Sequence, residues 1–150
     1  MKPLIVLLSV FVASILITRI FYGEFDLVLS GRIAMSVMLL FTAVAHFVFT
    51  RGMTMMLPEI FPYKTAMIYL TGVVEIAAAA GLLIPGWRVI TGWLLIVFFM
   101  LLLPANIYAA QKHVDYQKGT YNGSGLTYLW FRIPLQVLFI LWTYWVAIKY

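Results

Sequence analysis

The sequence predicts an all-α fold: a polytopic bundle of membrane-spanning helices. Three observations carry that prediction. Apolar residues make up 65% of the chain and charged residues only 10%, against roughly 45–50% and 25% in soluble domains. The apolar residues fall into five stretches separated by segments that hold most of the charges, glycines and prolines, and a helix crossing a bilayer takes about 20 such residues at ~1.5 Å rise each. One stretch, Ala66 to Ile84, carries a single charge near its middle, Glu75. A carboxylate at that depth costs on the order of 2.5–3.5 kcal/mol on insertion scales, so it needs a partner or a purpose.

Length and composition exclude several classes. A chain of 150 residues allows one compact bundle and no second soluble domain. With no cysteine, thiolate metal sites, disulfides and thiol relays within the chain are ruled out. The net charge of +5 does not indicate nucleic acid. The basic residues are scattered among loops and helix ends, where they set topology and meet anionic head groups.

The first span, Met1 to Phe21, begins with Lys2 and Pro3 and then runs apolar to Ile17, a short basic start and apolar core that also fit a signal peptide. No small-x-small cleavage site ends it, and Ile20-Phe21-Tyr22 resembles an interfacial anchor. It is therefore read as a retained helix. The second span, Ile33 to Phe49, is short and is expected to extend by a turn, with Ser30 as its cap. It carries Thr42 and His46 on one face. The connector from Thr50 to Thr65 contains a Met-Thr-Met-Met-Leu run too short to span, expected to lie in the interface or dip partly in. Without cysteine or paired histidine the methionines do not suggest copper.

The third span is the Glu75 stretch, with small Gly72, Ala79 and Gly81 that let neighbouring backbones approach. Pro85-Gly86 turns the chain into a hairpin with the fourth span, Trp87 to about Ala110. Pro104 interrupts that span and is expected to kink or break it, with Asn106 turned inward to satisfy the freed carbonyl. A polar loop from Gln111 to Thr127 follows. The last span, Tyr128 to Ile148, holds Arg132 and Gln136 in its first turns and interfacial aromatics at its ends. An odd number of spans places the termini on opposite sides. Lys and Arg count five on the N-terminal side and four on the other, favouring a cytoplasmic N-terminus.

Depth groups the polar residues. His46 and Arg132 lie roughly 6 Å, Gln136 roughly 12 Å and Glu75 roughly 14 Å inside the same face of the membrane, and Asn106 enters from that side too. The five therefore predict a polar pocket in one leaflet half, covered by the Thr50–Thr65 and Gln111–Thr127 loops. Glu75 and Arg132 are expected to neutralise each other there. Each residue also has a structural reading: an ion pair that locks the bundle, an arginine that snorkels to head groups, a packed histidine. One histidine and one glutamate within the spans fall short of a haem, zinc or di-iron ligand set, so no metal is expected. A Glu–His pair could move a proton in quinone or lipid chemistry.

Five motifs in order resemble the DoxX-like family of small integral membrane proteins. They are Gly31-Arg32 with Ala45-His46-Phe47, then Leu57-Pro58-Glu59-Ile60-Phe61-Pro62, then Tyr69 to Glu75 with Leu83-Ile84-Pro85, then Pro104-Ala105-Asn106-Ile107-Tyr108, and Arg132 to Gln136. The resemblance runs from about Gly31 to Ala147. It implies a four-helix DoxX-like core over residues 31–150, with residues 1–22 an added N-terminal transmembrane helix. The resemblance also implies a range of roles: some relatives accompany quinone-linked oxidoreductases, and distant ones act as membrane chaperones or bind hydrophobic ligands.

The expected function is an accessory subunit, or a protein binding a quinone or lipid through His46, Glu75, Asn106, Arg132 and Gln136, in a bacterial inner membrane and not an enzyme on its own. Its expected partners are membrane lipids, a membrane oxidoreductase or other membrane protein, or further copies of itself. The alternative is a non-catalytic chaperone or assembly partner whose polar residues are structural. A transporter is disfavoured, because no inverted repeat is visible.

Overall fold

The computed structural model describes residues 2–150; Met1, where the predicted first span begins, lies outside them. The described residues form helices joined by turns and loops, with no strand among them. α1 spans Lys2–Tyr22, α2 Leu27–Val48, α3 Thr50–Thr54, α4 Lys64–Leu83, α5 Arg88–Gln111 and α6 Thr127–Thr143, the last continuing as a π-helical segment, Tyr144–Lys149. Five of these, counting α6 with its extension, are long and apolar enough to cross a membrane.

The second span is longer than expected at its start, and its cap differs. Asp26, not Ser30, caps α2: its carboxylate accepts from Leu29 N at 2.8 Å, and Ser30 is buried inside the first turns. An aspartate four residues earlier satisfies a free amide of the first turn and adds a negative charge at the helix's positive end. α5 is also unbroken. It runs through Pro104 with a full turn and more on either side. Pro134 likewise sits inside α6.

α2 lies at the centre, packed against α1 on one side and α4 on the other. α5 packs against α4 and α6. Small residues set these approaches, as expected where lipid removes the hydrophobic drive between helices. A Cβ on Gly81 would stand 2.4 Å from Thr91 Oγ1, and one on Gly92 would stand 2.9 Å from the Ala147 Cβ. The core joins Leu7 of α1, Met35, Met38 and Leu39 of α2, Leu82, Leu95 and Phe99, and Phe139 and Val146. At one end, Trp142 donates from Nε1 to the Gly31 carbonyl at 3.0 Å and meets the Phe11 ring edge-on with centroids 4.8 Å apart.

Candidate functional site

Glu75 reaches its partner because of the glycine one turn before it. At Gly72 a Cβ would lie 3.0 Å from the His46 Cβ and 3.0 and 3.1 Å from Phe47 ring atoms, so α4 and α2 touch backbone to side chain. Phe47 and Tyr69 stack beside this contact, 5.6 Å between centroids and 14° between planes. The close crossing puts His46 Nε2 3.5 Å from Glu75 Oε2. Behind the ring, Thr71 Oγ1 lies 3.0 Å from Nδ1 and 2.7 Å from the Ile68 carbonyl, to which it donates.

These contacts constrain the protons. If the Thr71 hydroxyl donates to Ile68, the imidazole donates from Nδ1; if it turns to Nδ1, the neutral ring carries its hydrogen on Nε2. In both arrangements Nε2 and the carboxylate can face each other favourably only with a proton between them. The expected ion pair between Glu75 and Arg132 is not formed: among the described residues no side-chain pair joins them within 4.0 Å. α4 is flanked by α2 and α5, whereas α6 packs on α5. The histidine on the adjacent helix takes the place assigned to the arginine.

The five residues singled out from the sequence all line one cavity of about 410 Å³. Glu75, His46, Asn106 and Gln136 are buried, with 4%, 9%, 2% and 7% of their surface exposed, and Arg132 is half-buried. Asn106 turns inward but does not satisfy the carbonyl that Pro104 frees. That carbonyl belongs to Met100, four residues before the proline, whereas Asn106 Nδ2 donates to Leu102 O at 3.0 Å. Gln136 donates from Nε2 to the Phe99 carbonyl, tying α6 to α5. Two charged groups of the cavity keep an unanswered atom. Glu75 Oε2 and Arg132 Nε are buried without a hydrogen-bond partner.

The Met-rich connector and the long polar loop form part of the wall through Met53, Met56 and Leu57, and through Tyr116 and Gln117. They meet at Gly52, where a Cβ would fall 1.8 Å from the Tyr116 carbonyl oxygen. Lys2 and Tyr128 also line the space. Sequence depth alone does not select these residues. Thr71 was missed too, although a hydroxyl four residues before a buried glutamate was a signal available in the sequence. Among the described residues no three His, Cys, Asp or Glu side chains stand close enough to hold a metal ion.

A family model, Domain of unknown function (DUF8561), matches residues 35–147 of the chain, a segment that contains His46, Glu75, Asn106, Arg132 and Gln136. No curated protein and no solved structure matches.

Proposed function

We propose a function for a chain that belongs to the DUF8561 family: it is a small integral membrane protein that binds the polar head of a lipophilic molecule, a quinone or lipid, in the cavity between α2, α4, α5 and α6. One observation carries this reading. Glu75 and Arg132 line the same cavity, and each holds a buried polar atom that makes no hydrogen bond within the protein. A packed bundle does not retain such atoms cheaply, since each unanswered buried polar group costs on the order of 1–3 kcal/mol, more when charged. A ligand that answers them offsets that cost. The remaining wall is largely apolar, as ligand cavities usually are.

The same reading places residues 31–150 as a DoxX-like four-helix core with α1 added, in a bacterial inner membrane, serving as an accessory subunit to membrane redox chemistry. The order of the five motifs from Gly31 to Gln136 supports it. Purification in mild detergent followed by mass spectrometry of the extracted small molecules tests the function. A quinone or lipid that co-purifies stoichiometrically, and is lost in Glu75→Gln and Arg132→Met, is the expected result. A stoichiometric protein partner with an empty cavity points instead to an assembly role.

A further inference from the structure

The hydrogen bonds already made inside the cavity decide which atoms remain for a ligand. Asn106 gives an amide hydrogen to Leu102, and Gln136 gives one to Phe99. An amide that donates to a backbone carbonyl keeps its own oxygen as an acceptor, and neither oxygen has a hydrogen-bond partner among the described residues. Glu75 Oε2 is a third acceptor. Its approach to His46, 3.5 Å, is longer than the ~2.7–2.9 Å of a charge-assisted hydrogen bond. The ligand must therefore bring donors to Glu75, Asn106 and Gln136.

The opposite need is set by Arg132. Its Nε is buried and unpartnered, and Lys2 lines the same cavity, so an anionic oxygen is called for as well. Phe41, Val44 and Val48 line the cavity and are themselves exposed. The space is therefore open sideways, toward the lipid that would surround this helix, as well as toward the loops.

Resting on the reading of this cavity as a lipid site, we propose that it recognises a zwitterionic aminophospholipid through the N–H groups of its primary ammonium. The ammonium donates to Glu75 and to the oxygens of Asn106 and Gln136, and the phosphate accepts from Arg132. A primary ammonium carries three donors, as many as the open acceptors. A trimethylammonium head has the same charge and no N–H, so it leaves all three acceptors unanswered. A phosphoglycerol head offers hydroxyl donors and an anion but no cation for Glu75, and its hydroxyls give the Asn106 and Gln136 oxygens neutral hydrogen bonds, about half as strong as charged ones. The acyl chains leave through the opening beside Phe41, Val44 and Val48.

Native mass spectrometry of the full chain in detergent tests this, with dioleoyl phosphatidylethanolamine, its N-methyl and N,N-dimethyl forms, and phosphatidylcholine of the same chains. Phosphatidylglycerol is the anionic control. Affinity is expected to fall with each methyl, by about tenfold or more across the series. Glu75→Gln should flatten that dependence, and Arg132→Met should weaken every member alike. The methyl series is read on the unaltered protein, so a variant that fails to fold leaves the test intact. Equal binding of the ethanolamine and choline lipids, or tighter binding of phosphatidylglycerol, would overturn the head-group assignment while leaving a lipid cavity in place. Binding of all five lipids that neither folded variant changes would overturn both.

Discussion

Nε2 of His46 and Oε2 of Glu75 stand 3.5 Å apart across the α2–α4 contact, the one imidazole–carboxylate contact joining two helices among the described residues. Its length and its surroundings make the two partners unequal. Thr71 holds the other side of the imidazole, but nothing else answers Oε2. His46→Leu should therefore destabilise the protein by about 1–3 kcal/mol, because it strands a buried acceptor. Glu75→Gln removes the stranded charge and should change stability by less than ~1 kcal/mol. A double-mutant cycle on unfolding in detergent should give coupling between positions 46 and 75, and less than about 0.5 kcal/mol between 75 and 132. Strong coupling of Glu75 to Arg132 would contradict the assignment of partners.

Gly72 has no room for a side chain. Ala at this position must push His46 and Phe47, both at about the limit of contact, and overpacking of this kind costs about 1–3 kcal/mol. Gly72→Ala should lower the melting temperature and weaken the 46–75 coupling in the same cycle. An unchanged cycle would mean that the helices crossed at another point.

Gly52→Ala should act on the loops and leave the spans in place. The added methyl would overlap the Tyr116 carbonyl, so the connector and the polar loop must separate. Trypsin should then cut faster after Lys112 or Lys118, both exposed, while the helical circular dichroism stays near that of the parent. Equal cleavage rates would show that the seam does not hold the loops.

The end of the bundle away from the cavity has its own tie. Trp142→Phe keeps an aromatic ring against Phe11 but removes the hydrogen bond to the Gly31 carbonyl. Hydrogen bonds between membrane helices average about 0.6 kcal/mol and reach ~1.7, and the loss should fall in that range on unfolding in detergent. A larger loss would assign the contribution to ring packing.

The spans could be read from the sequence because lipid demands long apolar runs, and a charge such as Glu75 stands out against them. The gathering of His46, Glu75, Asn106, Arg132 and Gln136 was legible for the same reason: depth follows from counting residues along a helix. Partnership does not follow from depth. Nothing in the count says that α2 rather than α6 lies beside α4, which is why Arg132 was expected where His46 stands. The cap at Asp26 was hidden by the apolar boundary at Ile33, since the helix starts before the lipid-facing run does. Pro104 reads as a kink or a break; the helix is continuous through it, because the proline gives up one hydrogen bond, to Met100, and crowds that carbonyl, while the turns on both sides hold the helix together.

The contact between Gly52 and Tyr116 bears on how quickly the cavity can exchange its contents. Two segments far apart in the chain meet there backbone to backbone, with no room between them. Passage from the aqueous side must cross the two loops that meet at this seam. Passage past Phe41, Val44 and Val48 requires only that side chains already at the surface rotate, and exposed rotamers change on ps–ns timescales. On the proposed reading of the cavity as a lipid site, exchange with the bilayer is the faster route. Cross-linking the two loops should leave that rate unchanged.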